Sequence, residues 1–286
     1  MEQDRNGYPS GSGERSDTHE LESFGYLQEL KRSIGAFSSF AISFSLISIT
    51  TGIFAGFQQG IQQVGPAVIW SWSVVAVGQF LVALVLAEMS KRFPLTGYAY
   101  QWTSRLMNPH VGFFVGWLLI LQFVTGFPGV CRALADYAHG YLGLPPEISP
   151  AILTVLIMAT LALVHIGGIR LAALMNDTGV IAEIVGSVLI SILLLVLVGI
   201  WREEPLTFLV SSTNFLTGEA ATLGPWLLSL LMGAWCITGF EAAADLAEET
   251  HDPKRTVPRA IISSQLSAGI GGFVMLLAFI LAIDNL

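Results

Sequence analysis

In 225-PWLLSLLMGAWCITGFEAAADLAEE-249, Glu241 lies sixteen residues into an apolar run, and Asp245 follows one helical turn later on the same face. A carboxylate surrounded by hydrocarbon costs several kcal/mol when charged and unpaired, so its presence there points to use. Burial favours the neutral form, which suits a group that loads and releases a proton. The bland alternative is a structural carboxylate bonded to backbone amides freed elsewhere in the fold. Glu248 and Glu249 stand at the inner edge of the run beside Lys254 and Arg255, where solvation or pairing accounts for them.

A second segment, 48-SITTGIFAG-56, places Thr50, Thr51 and Gly52 in the middle of another apolar run. Small and hydroxylated residues at such a place serve either close helix packing or a break in the helix. A break frees amides and carbonyls that hydrocarbon cannot satisfy, so it survives only where it lines a polar cavity or binds something. The amide end of a half-helix then attracts a carboxylate, and the carbonyl end attracts an ammonium or a cation. Gly56, Gly60, Gly116, Gly186 and 269-GIGG-272 read as packing positions.

The elements that must carry these groups follow from composition. The chain has 286 residues, 53% hydrophobic and only 12% charged, with mean hydropathy +0.67; soluble domains carry about 25% charged residues. Runs of about twenty apolar residues, enough for about 30 Å of hydrocarbon, recur after residue 33 and read as helices rather than barrel strands. The expected fold class is an all-α polytopic membrane protein with seven spans near 34–57, 66–90, 111–137, 148–167, 178–201, 225–248 and 259–283. Gly65-Pro66, Asn108-Pro109, Pro145-Pro146, Gly224-Pro225 and Pro258 punctuate the span entrances. Residues 1–33 are polar and read as a disordered cytoplasmic tail, without the apolar stretch of a signal peptide; 34–286 form the transmembrane domain.

Basic residues set the expected orientation. With the N-terminus cytoplasmic, the inner segments hold Arg5, Arg15, Lys31, Arg32, Lys91, Arg92, Arg105, Arg170, Lys254, Arg255 and Arg259, the outer loops hold Arg202, and Arg132 lies towards the outer end of the third span. That arrangement runs opposite to a rhodopsin-type receptor, and it puts the sequon Asn176-Asp177-Thr178 in a cytoplasmic loop. Glu88 and Glu183 fall near inner span ends, where cytoplasmic bases are the expected partners, while Arg132 and His165 are expected to bond locally or snorkel. Gln79 and Gln122 read as mid-span polar glue. The two cysteines, Cys131 and Cys236, lie within separate spans, so no disulfide framework or metal site is expected. There is no cofactor motif, no grouping that would make an enzyme, and no basic surface for nucleic acid.

The interrupted segments 50-TTGIF-54 and 233-GAWCITGFE-241 sit in the first and sixth spans, which enter the membrane from opposite sides. Paired interrupted spans of opposite orientation point to a secondary transporter with its site near the bilayer midplane. Three stretches then carry a family likeness: 25-GYLQELKRSIGAFSSFAISFSLISITTGIFAG-56, 87-AEMSKRFPLTGYAYQW-102 and 239-GFEAAADLAEETHDPKRTVPRAI-261. Together they resemble the amino acid/choline transporter branch of the amino acid–polyamine–organocation permeases.

That resemblance implies a core of two inverted five-helix repeats with discontinuous helices 1 and 6, working by alternating access on amino acids, GABA, choline or polyamines. It implies substrate contacts from Thr50, Thr51, Gly52, Ile53, Gly233, Trp235, Thr238, Gly239 and Phe240, with Glu241 in proton coupling or gating. Thr50 stands where the family has a glycine, and Asp252 where it commonly has an asparagine. The loop 248-EETHDPKRTVPRAI-261 resembles the family's cytoplasmic hinge into the seventh span. The chain ends after seven spans, so an incomplete second repeat is expected: a fragment, a shortened form, or a partial transporter associating with another permease chain. The leading expectation is a proton-coupled permease in the plasma membrane or an internal membrane such as the vacuolar one. The alternative is a non-transporting regulator or assembly partner of a full-length permease.

Overall fold

A computed structural model describes residues 30, 32–145, 147–201 and 206–283. Most of the expected N-terminal tail, and Arg202 of the orientation count, lie outside the described residues.

Every expected span is helical. The first is divided into α1 (Ala36–Ile47) and α2 (Ile49–Val64), and the second is α3 (Val68–Arg92). A short amphipathic helix α4 (Tyr98–Leu106) follows, then α5 (Pro109–Leu142), α6 (Pro150–Ile166) and α7 (Ile169–Trp201). The sixth span is α8 (Leu223–Cys236) and a four-residue turn α9 (Ala242–Asp245), and the seventh is α10 (Pro253–Ala282). Among the described residues, four stretches have the length and apolarity to cross a membrane: Ala36–Arg92, which holds two of the expected spans, Pro109–Leu142, Leu171–Ile200 and Pro253–Ala282; α6 and α8 are shorter apolar helices. The chain is therefore an all-α, multi-pass integral membrane protein.

The local signals act as expected. Asn108 accepts a hydrogen bond from the Val111 N–H at 2.9 Å just before Pro109, and Ser149 caps α6 ahead of Pro150. Gly65, at φ 60°, ends α2 where the chain turns into α3. α7 begins nine residues earlier than the expected span, so Asn176 lies inside a helix and not in a loop. α10 likewise starts at Pro253 and carries Pro258 in its second turn. Between α7 and α8 the sequence offered no strand signal. There, two antiparallel residue pairs, Thr213 with Ala220 and Asn214 with Glu219, close over an Asn214 turn whose Oδ1 accepts from Leu216 N at 2.9 Å.

The chain divides into two compact units. One spans Ala99–Thr178, in which α5 packs on α6 and Gly112 leaves room for Ser104. Arg132 pairs with Asp136 at 2.9 Å and His165 Nδ1 lies 2.8 Å from Leu161 O, both local as expected.

The other unit joins the residues up to Tyr98 with Gly179 onward, and holds the principal core. α10 packs on α3 and α1, and α8 packs on α2 and α3. Within hydrocarbon, helices gain little from excluding water, so close approach and interhelical hydrogen bonds must hold them together. Both are present. Trp72 is buried against Gly272 and donates from Nε1 to Gly269 O at 3.0 Å, while Gln265 Nε2 donates to Ala76 O at 2.8 Å. Gly56 and Gly60 lie against Met232 of α8. Gly186, also read as a packing position, has open space beside it. In the most apolar window of α10, 50% of residues are buried, against 11% in α7, so α10 is the central helix of this unit and α7 presents most of its surface outward.

Candidate functional site

The first span breaks at Ser48, two residues ahead of the expected Thr50-Thr51-Gly52 turn. Ser48 adopts φ 42°, a left-handed conformation uncommon for a residue with a side chain, and separates α1 from α2. Thr50, Thr51, Gly52 and Ile53 thus form the first turn of α2 rather than an unwound segment. The consequence for chemistry is the same: α2 begins inside the span with its amide end uncovered by preceding helix.

The sixth span breaks from Ile237 to Glu241, where it was expected. α8 ends at Cys236, Ile237 N donates back to Gly233 O at 2.9 Å, and Thr238 Oγ1 donates to Ala234 O at 2.6 Å. Gly239 follows with φ 112°, a conformation that side chains disfavour, and the chain then turns into α9.

The two breaks lie against each other. A Cβ on Gly52 would stand 2.6 Å from Cys236 Sγ, and one on Gly239 would stand 2.9 Å from Leu46 Cβ. Ser43 of α1 ties the two together: its hydroxyl donates to Phe240 O at 2.8 Å and accepts from Ala243 N at 2.9 Å. One buried side chain thereby satisfies a carbonyl and an amide freed by the opposite break. No sequence signal marked Ser43, because one serine among several in 39-SFAISFS-45 has no periodicity of its own. Replacing it with alanine leaves both groups unpaired, so Ser43→Ala is expected to cost ~1–3 kcal/mol. Thermal unfolding in detergent measures this; an unchanged midpoint would mean that water takes over both bonds.

The carboxylates are distributed between the breaks. Glu241 accepts from Gly239 N at 3.2 Å through Oε2, so it covers an amide of its own break. Tyr98, buried at the end of the 87–98 segment, has its hydroxyl held well above the ordinary tyrosine range, by burial first and then by the charges of Glu241 and Asp245. The tyrosine and both acids therefore share one electrostatic neighbourhood. Glu183 departs from expectation. Among the described residues it pairs with no cytoplasmic base; its Oε1 accepts from Thr50 N at 3.2 Å and from Ser48 Oγ at 3.1 Å. The cause is geometric: α7 carries Glu183 past the uncovered start of α2, where amide and hydroxyl donors are available. Glu88, by contrast, pairs with Arg92 at 2.7 Å.

Among the expected contact residues, Gly52, Ile53, Gly233, Gly239 and Phe240 are buried, and Thr50, Thr51, Thr238 and Glu241 are partly buried around the crossing. Trp235 is 53% exposed and stands apart from them. Cys131 and Cys236 are both free and buried.

On the cytoplasmic side of the expected topology, Ile34 pairs with Thr250 in a parallel bridge. Glu249 O accepts from Ser33 N at 2.8 Å and from Ile34 N at 3.0 Å, and Glu248 Oε1 accepts from Thr96 N at 3.1 Å. The three stretches that carry the family likeness therefore meet in space.

Comparison with known proteins agrees with that likeness. The chain is 28% identical over 270 residues to the amino-acid permease BAT1 of Arabidopsis thaliana, covering 85% of this chain and 50% of that protein. It is 28% identical over 230 residues to the low-affinity putrescine importer PlaP of Escherichia coli, covering 80% and 47% respectively. It is 25% identical over 298 residues to the GABA-specific permease of Saccharomyces cerevisiae, covering 94% and 49%. The chain thus spans about half the length of these relatives. Residues 34–285 match the amino acid permease family, and the chain belongs to that family, within the amino acid–polyamine–organocation superfamily.

Proposed function

We propose that this chain serves secondary active transport of amino acids or related amines such as GABA, choline or polyamines, by alternating access, with the substrate held where the breaks of the first and sixth spans meet. The observation that carries the reading is the approach of Gly52 to Cys236 and of Gly239 to Leu46, which brings two interrupted spans together inside an apolar unit. Interrupted helices at membrane depth need a polar occupant or cavity, and transporters meet that need with substrate and coupling ions. The crossing also fits an inverted-repeat plan, in which α1–α2 and α8–α9 are counterparts entering from opposite faces. The excess of lysine and arginine on the expected inner segments supports a cytoplasmic N-terminus.

Glu241 is the proposed proton-coupling or gating group. Its carboxylate caps the broken backbone at Gly239, so gain or loss of a proton alters the hydrogen bonding of the hinge itself. Proteoliposomes loaded with the chain and challenged with labelled amino acids, GABA, choline and diamines test both parts. Uptake driven by an inward proton gradient is expected, and Glu241→Gln is expected to reduce it by at least about tenfold, because the amide cannot ionise. A stably inserted chain that takes up none of these ligands under any gradient overturns the transport reading, and uptake indifferent to Glu241→Gln overturns the coupling role.

A further inference from the structure

The amide end of α2 is the natural seat for a substrate carboxylate, and in this chain it already holds a carboxylate. Glu183 Oε1 takes the Thr50 N–H at 3.2 Å and the Ser48 hydroxyl at 3.1 Å, and Ser48 Oγ in turn lies 2.8 Å from Thr51 Oγ1. The opposite break is capped in the same manner by Glu241 at Gly239 N. Each break therefore carries one protein carboxylate on a freed amide.

No basic side chain balances them from the elements that form the crossing. Residues 33–90, 171–201 and 203–253 contain no lysine or arginine, so α1, α2, α3 up to Ser90, α8 and α9 offer no cation for an incoming carboxylate. A zwitterionic substrate would have to displace Glu183 from Thr50 N and then sit beside the displaced charge. An organic cation meets no such conflict, since it gains from both carboxylates and from the carbonyl end of α1.

We infer that Glu183 occupies the carboxylate seat of the α2 amide end and makes this site select organic amines that lack a carboxylate, with diamines as the best-matched class. The inference rests on the reading of the crossing as a transport site and adds to it the residue that sets selectivity. It also explains the left-handed Ser48: that conformation brings the hydroxyl and the Thr50 amide onto one carboxylate oxygen.

A matched pair of ligands tests it. 1,4-Diaminobutane and γ-aminobutyrate have similar length and share one ammonium end, differing in whether the other end is ammonium or carboxylate. Binding of each is measured on the purified full chain in lipid nanodiscs, which needs no complete transport cycle. Wild type is expected to bind the diamine at least about tenfold more tightly, the scale of one charge-assisted contact. Glu183→Gln keeps an oxygen on Thr50 N but removes the charge, so diamine binding falls about tenfold and γ-aminobutyrate gains nothing. Glu183→Ala empties the seat, so diamine binding falls and γ-aminobutyrate binding rises. Elution as a single species checks that each variant is folded, and the wild-type preference decides the matter even if a variant is not. A wild type that prefers γ-aminobutyrate, or a preference unmoved by Glu183→Ala, overturns the inference and leaves the transport site standing. Binding of neither ligand by any form overturns the site and the inference together.

Discussion

Gly239→Ala is expected to lower stability by about 2–6 kcal/mol and to abolish ligand binding. Two costs combine. Gly239 holds φ 112°, where a residue with a Cβ is strained by about 1–3 kcal/mol. The new methyl would also stand 2.9 Å from Leu46 Cβ and 3.0 Å from the Leu46 backbone carbon, an overpacking that costs about 1–3 kcal/mol. The backbone contact sets the character of the defect. Shortening the neighbour with Leu46→Ala removes side-chain atoms but neither the backbone contact nor the strain, so the double variant recovers only part of the loss. Thermal unfolding in detergent, with ligand binding alongside, measures both. Gly126→Ala is the control: that glycine lies inside α5 with open space beside it, and alanine there changes stability by less than about 1 kcal/mol. A Gly239→Ala chain as stable as the control would show that the break does not sit against α1.

Gly52→Ala probes the same crossing from the other helix. Its Cβ would lie 2.6 Å from Cys236 Sγ, 2.9 Å from Cys236 Cβ and 3.2 Å from Cys236 Cα. The thiol alone could rotate away, but the Cβ and Cα cannot, so α2 and α8 must part. The expected cost is ~1–3 kcal/mol, with loss of ligand binding because the amide end of α2 and the carbonyl end of α8 move with their helices. Here a second substitution on the partner does relieve the conflict. Cys236→Gly removes the sulfur and the Cβ, costs about 1 kcal/mol for the glycine itself, and leaves the methyl introduced on α2 with only the 3.2 Å approach to the Cα, which a small backbone shift relieves. The double variant is then more stable than the sum of the two single losses, by about 0.5–3 kcal/mol of coupling. Strict additivity would mean that Gly52 and Cys236 do not touch.

Much of the architecture was legible because its causes are local. Span lengths follow from the thickness of hydrocarbon, and entrances such as Asn108-Pro109 follow from the geometry of capping residues and prolines, so α5 and α6 begin close to where they were read. The sixth-span break was legible for a related reason: Gly239 next to Glu241 is a sequence that helix in hydrocarbon disfavours. The first-span break was displaced because Thr50-Thr51-Gly52 tolerates helix once its first amides have partners, and those partners are remote. Ser48 takes its left-handed conformation in company with Glu183, which is 135 residues away.

From its own composition and spacing this chain is committed to apolar helices, to two interrupted spans and to carboxylates at membrane depth, since each depends on residues within a few positions of one another. Which carboxylate covers which amide, and which serine clasps the opposite break, depended on folding in three dimensions. Glu183 reaches α2, and Ser43 reaches Phe240 across 197 positions, through single hydrogen bonds whose partners share no periodicity and no local motif. Such pairs exist only once packed helices bring the freed backbone groups within about 3 Å of a side chain that can satisfy them.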